Sequence, residues 1–142
     1  MRALLDVNVL IALLDSDHLH HFAAAKWLKE NIRAGWSSCP LTQNGCIRIM
    51  SQPGYPNVLP AAAIADRLAV ATATTHHIFW PDAISMLDAG RIAWNAVLGA
   101  RQLTDVYLLA LAVQQGGRLV TLDRAVPLNA VPGAKTRHLV VI

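Results

Sequence analysis

The sequence predicts an α/β fold, a parallel sheet of about four to five short strands sandwiched between layers of helices, with residues 1–142 forming one domain. Three observations lead there. Short apolar runs bounded by turn residues alternate with longer stretches of helical periodicity. From Leu103 to Arg124, a helix pattern ends at Gly116-Gly117 and passes directly into the apolar run from Arg118 to Leu122. Finally, 142 residues with 54% apolar side chains are enough for one sizeable core and too few to require a second.

In chain order, Arg2 to Asp6 reads as a fully buried strand closed by Asp6, and Asn8 to Leu14 as a helix that follows with almost no loop. A helix from Asp17 to Ile32 comes next, with Asp17 as its cap and Phe22, Ala25, Leu28 and Ile32 inward; Gly35 stops it. Trp36 to Cys39 is the second strand. Pro40 and Thr42 then introduce a helix through Gln43, Ile47 and Met50, broken by the turn Pro53-Gly54-Tyr55-Pro56. The Ala-rich stretch from Pro60 to Thr74 predicts a packed helix and His77 to Trp80 a third strand. A capped helix is expected at Pro81 to Leu87 and another at Ile92 to Ala100. Thr104 is the expected cap of the helix before Gly116, Arg118 to Leu122 is the fourth strand, and Arg137 to Ile142 is a last strand of β-branched residues.

Only 15% of residues are charged, so part of the apolar surface is expected to face a partner subunit. The net charge of +3 and pI near 9.2 suit an acidic partner such as nucleic acid without identifying one. Cys39 and Cys46 match neither a zinc knuckle nor a disulfide framework and read as buried thiols. The apolar amino terminus carries Asp6, Asn8 and Asp15 and lacks a basic lead-in, so we expect no signal peptide, no membrane span and a cytoplasmic location.

A helix of about 12 residues climbs roughly 18 Å and a strand of about six returns roughly 20 Å, so Asp105 and Asp123 return to the same edge. Applied to every unit, this places Asp6, Asn8, Gln43, Asp105 and Asp123 at the carboxyl edge of the sheet, where open α/β folds bind ligands. Close carboxylates repel by about 4 kcal/mol per pair at roughly 4 Å in an effective dielectric near 20. A hard cation, Mg²⁺ or Mn²⁺, would offset that, whereas zinc more often recruits His or Cys. Taken singly, Asp105 also suits a helix first turn and Asp123 a tight turn.

The stretches Leu-Leu-Asp-Val-Asn-Val-Leu-Ile-Ala from Leu4, Pro-Leu-Thr-Gln-Asn-Gly-Cys-Ile-Arg from Pro40, Phe-Trp-Pro-Asp from Phe79, Thr-Asp-Val-Tyr-Leu-Leu-Ala-Leu-Ala from Thr104 and Leu-Val-Thr-Leu-Asp-Arg from Leu119 resemble, in order, a PIN-domain ribonuclease of the VapC toxin type. The resemblance spans nearly the whole chain. It implies a Mg²⁺- or Mn²⁺-dependent endoribonuclease, usually a homodimer, acting on RNA and held inactive by a VapB-type antitoxin. The family's first, third and fourth acids match Asp6, Asp105 and Asp123, the expected metal ligands, with Asn8 and Thr104 as polar supports. Its second acid is the departure: the pattern Thr-Glu-Asn-Gly reads Thr42-Gln43-Asn44-Gly45 here. Glutamine keeps the size and one acceptor oxygen but loses the charge and cannot act as a base, so weaker metal binding and reduced cleavage are expected.

Other conspicuous residues are assigned to structure or to contacts. His18, His20 and His21 read as a polar helix start, His76 and His77 as loop residues, and Asp82 as a cap. Trp27, Trp36, Trp80 and Trp94 belong to core or interface. Arg48 and Arg124 are candidate contacts to RNA phosphate or antitoxin. A strand-terminal phosphatase would need an acid where Asn8 stands and a lysine near Asp123; a receiver domain would need an acidic pair after the first strand. The stronger rival is a PIN fold disabled at Gln43 that only binds RNA or its antitoxin.

Overall fold

A computed structural model describes residues 1–142. Five strands, β1 (Ala3–Leu5), β2 (Trp36–Ser38), β3 (His77–Phe79), β4 (Arg118–Thr121) and β5 (Leu139–Val141), form one sheet in the order β3-β2-β1-β4-β5. Every neighbouring pair is parallel. The helices are α1 (Val7–Leu14), α2 (His21–Asn31), α3 (Pro40–Ser51), α4 (Ala61–Thr72) and α5 (Leu103–Gln114). Two apolar clusters sit on opposite faces of the sheet, as strand alternation requires. Leu4 and Leu119 point toward α5, while Ala3, Leu5 and Val120 point toward α1, α2, α3 and α4. In α5, Leu108, Leu109 and Leu111 are wholly buried, and each such side chain contributes about 1.5–3 kcal/mol.

The strand order holds the fact that matters for a site. The chain builds β1, β2 and β3 outward in one direction, then crosses back so that β4 pairs with the other side of β1. The order therefore reverses between β1 and β4, and crevices form beyond the carboxyl ends of strands at such reversals. Asp6 follows β1 and Asp123 follows β4 by two residues.

Several local expectations are corrected. No helix forms from Pro81 to Leu87, and from Ile92 to Ala100 the regular structure is a 3₁₀ turn at Trp94–Ala96 and the first residue of another at Ala100. Ile84 and Met86 are the residues that pack on the core while Leu87 is exposed, in a segment without regular structure that turns at Met86 and Leu87. Asp82 therefore caps nothing. The second helix begins at His21 rather than Asp17, and Phe22 faces solvent while Ala24 is buried. Leu28 and Ile32 do pack inward. Thr104 lies inside the first turn of α5, whose start follows a 3₁₀ turn at Ala100–Gln102, and Gln102 holds the cap position. His77 opens β3, in agreement with the strand expected from His77 to Trp80 and not with its assignment to a loop.

Cys39 and Cys46 are buried free thiols. Trp36 and Trp80 are in the core, Trp27 lies under the Arg118 guanidinium, and Trp94 is half exposed. No helix is long and apolar enough to cross a membrane.

Candidate metal and RNA site

Asp6 is the N-cap of α1: its Oδ1 accepts from the Val7 amide at 2.7 Å. That is a structural reason for a carboxylate that the apolar flanks did not reveal. Its Oδ2 accepts from the Thr121 hydroxyl at 2.6 Å, across the sheet from the end of β4. Thr121 is wholly buried and is a hub, since its Oγ1 also accepts from Asn8 Nδ2 at 3.1 Å and from the Asp123 amide at 3.0 Å. Asn8 Oδ1 completes the link by accepting from the Leu122 amide at 3.1 Å. Asn8 thus staples the first turn of α1 to the end of β4. The sequence reading gave Thr121 no role, although a polar residue closing an otherwise apolar strand was the available signal.

Asp123 is exposed and shapes its own turn, its Oδ1 accepting from the Ala125 amide at 2.7 Å. Gln102 ties that turn to the start of α5: its Oε1 accepts from the Leu98 amide at 2.9 Å and its Nε2 donates to the Ala125 carbonyl at 3.4 Å. Asp105 lies in the first turn of α5 and is half-buried. Burial first, then the charges of Asp6 and Asp123, push its carboxyl up to about 7. Burial likewise raises Asp6, with Thr121 and Val7 opposing the shift and Asp123 adding to it. The ion pairs of the molecule are Lys26 with Glu30 and Arg91 with Asp88, so no cation is paired with Asp6, Asp105 or Asp123.

Oxygen donors, uncompensated negative charge and partial exposure fit a hard divalent cation. No three His, Cys, Asp or Glu side chains form a ready-made metal-holding group. The arrangement therefore suits an ion that keeps several waters and takes one or two carboxylates, as Mg²⁺ does, better than a closed protein cage.

The remaining candidates divide. Gln43, in the first turn of α3, donates from Nε2 to Ser38 Oγ at 3.0 Å. Thr104 is exposed and makes no side-chain hydrogen bond. Arg48 and Arg124 are exposed and unpaired. His18 and His20 stack loosely, and His21 Nδ1 contacts the Ala12 carbonyl at 2.7 Å, tying α2 to α1.

The fold and this edge define a class: a parallel α/β domain with carboxylates near one another at its strand-order reversal. A family model described as PIN domain matches residues 3–132. Ribonuclease VapC44 of Mycobacterium tuberculosis is 50% identical over 142 residues, covering both chains completely. Ribonuclease VapC39 of the same organism is 44% identical over 135 residues, 94% of this chain and 96% of the relative. The chain belongs to the PIN-domain family and, within it, to the VapC group. The fold is also that of Rickettsia felis VapBC2, crystallised bound to a DNA fragment from its promoter, with TM-score 0.62, 10% identity and coverage of 100% and 98% of the two chains. Mycobacterium tuberculosis VapC20, a toxin that cleaves the sarcin-ricin loop, superposes with TM-score 0.56 at 13% identity, covering 82% of this chain and 85% of that one.

Proposed function

We propose that this chain is a divalent-metal-dependent endoribonuclease toxin of the cytoplasm that hydrolyses an RNA phosphodiester and is neutralised by a VapB-type antitoxin. The observation that carries the reading is the pair Asp6 and Asp105 at the strand-order reversal, both raised in pKa, with no cation paired to them or to Asp123. Relatives named as ribonucleases support the reaction class.

Asp6 and Asp105 would hold Mg²⁺ or Mn²⁺, with Asp123 as a further ligand or acting through a retained water; the ion when bound supplies an activated water and offsets charge building at phosphorus. Asp6 is oriented for this by Thr121 and Val7, each of which occupies one of its oxygens. Asp105, with its carboxyl near 7, releases a proton when a cation displaces it. Asn8 and Thr121 keep the two strand ends in register. Thr104 borders the site as a free hydroxyl. Gln43 offers a neutral oxygen and no base, which lowers cleavage relative to a glutamate. Arg48 and Arg124 supply unpaired positive charge for phosphate or antitoxin. Exposed Leu19 and Phe22, at 88% and 78%, provide apolar area for an antitoxin or for a homodimer.

Incubation with RNA in Mn²⁺ or EDTA tests the reading, with Asp6→Asn and Asp105→Asn as controls. Cleavage that persists in EDTA or in both variants sinks it. The second reading, a PIN fold that only binds RNA or antitoxin, is favoured by Gln43 and wins if neither the native chain nor Gln43→Glu cleaves.

A further inference from the structure

Behind Gln43 runs a polar chain that the nuclease reading does not use. Gln43 Nε2 donates to Ser38 Oγ at 3.0 Å, and Ser38 Oγ lies 2.9 Å from His77 Nε2. Ser38, the last residue of β2, is wholly buried. The His77 ring is held from the side by Trp36, with centroids 4.5 Å apart.

The proton count along this chain has one solution. An amide NH₂ only donates, so Ser38 Oγ accepts there and has its single proton left for His77. Ser38 Oγ makes no other hydrogen bond, so its proton is satisfied only if His77 Nε2 is the bare ring nitrogen, with the ring proton on Nδ1. Burial, and then the Arg2 guanidinium, favour the neutral ring this requires, while the Thr72 carbonyl acts in the opposite sense, as an acceptor for a ring N–H does. Arg2 is fixed nearby by donating from Nη1 to the Trp36 and His76 carbonyls at 2.9 and 2.8 Å. With Nε2 of Gln43 engaged, its Oε1 makes no protein hydrogen bond and is not a buried orphan, so it is open to solvent.

We propose that His77, acting through Ser38, is a positioning residue that turns the Gln43 amide so that Oε1, and not the NH₂ group, faces the acidic edge. The opposite tautomer would reverse every donor in the chain and present the NH₂ group instead. The difference is functional: an amide oxygen is a serviceable ligand for a hard cation, whereas NH₂ excludes one. Gln43 then retains the ligating part of a glutamate's role and loses only the charge. The cation itself rests on the nuclease reading above, but the orientation of the amide does not.

Nitrogen-15 NMR of the full chain, without metal, reads the orientation directly. The expected result is His77 protonated on Nδ1 and bare on Nε2, with one slowly exchanging Gln43 amide proton that is lost in Ser38→Ala and kept in Ser38→Thr. Protonation on Nε2 overturns the proposal. Calorimetric Mn²⁺ titration supplies the second readout: Ser38→Ala and His77→Ala should each weaken binding about tenfold, while Ser38→Thr stays within about twofold of the native chain. Unchanged Mn²⁺ affinity in Ser38→Ala, with its thermal melt intact and the amide signal gone, also overturns it. A native chain that binds no Mn²⁺ yet shows the Nδ1–H tautomer would sink the nuclease reading and leave the amide orientation supported.

Discussion

The Thr121 hydroxyl donates to Asp6 at 2.6 Å, joining residues 115 positions apart across the ends of β4 and β1. It ties together the two strand ends between which strand order reverses. Thr121→Val keeps the volume but leaves Asp6 Oδ2, Asn8 Nδ2 and the Asp123 amide without their shared partner. A loss of about 1–3 kcal/mol in urea unfolding is expected, with a further rise of the Asp6 pKa. Unchanged stability would mean that water replaces the hydroxyl.

Asp105 makes the metal-free protein sensitive to pH in a defined direction. Its carboxyl stands near 7 when folded against 3.8 as the ordinary value, so the native state binds the proton more tightly than the unfolded chain. Its unfavourable contribution to stability is absent below the ordinary value and grows as pH rises through about 7. Thermal melts without divalent ions should therefore fall between these two pH values, and Asp105→Asn should flatten the fall. A slope of the opposite sign in this window, assigned to Asp105 by the variant, would refute it.

Divalent cations should reverse that loss. At a free Mn²⁺ concentration 100 times the dissociation constant, stability rises by about 2.7 kcal/mol. Near neutral pH, binding should release part of a proton from Asp105, visible as a dependence of the calorimetric heat on buffer ionisation. Asp6→Asn should abolish the shift in melting temperature.

Gln43→Glu places a charge where the Ser38 hydroxyl can serve as donor once His77 shifts its ring proton to Nε2 and donates to Ser38 in turn. Mn²⁺-dependent RNA cleavage should increase by about tenfold or more, the scale on which removing or adding one ligating charge acts. RNA ends sequenced from cells expressing this variant would define the cleaved bond. An equal rate for both forms would show that the amide oxygen suffices.

Gly45 lets α3 approach α1. A Cβ added there would lie 2.8 Å from Val7 Cγ2, a branched side chain with little room to yield. Gly45→Ala should cost about 1–3 kcal/mol and shift Gln43 with its helix. Val7→Ala should recover most of the loss in a double variant, and failure of that rescue would place the strain elsewhere.

Alternation of short apolar runs with helical periodicity was enough to predict a parallel α/β fold, and the ends of those runs pointed to Asp6, Gln43, Asp105 and Asp123. Both are local signals, set by side-chain spacing and chain reversal, and five parallel strands with flanking helices agree with the first. The segment from Pro81 to Gln102 was not legible that way. Its proline and acid mimic a helix start, but Ile84 and Met86 pack on the core from an irregular segment, a choice made by packing. The position of Thr104 likewise depends on the 3₁₀ turn ahead of it. Nothing local could reveal that β4 pairs with β1 rather than β3, because strand order is decided by which faces the helices must cover. That pairing brings Thr121 to Asp6, and the pairing of β2 with β3 brings His77 to Ser38. Sequence therefore named the acids, while the through-space neighbours that orient them and shift their proton affinity came only with the folded sheet.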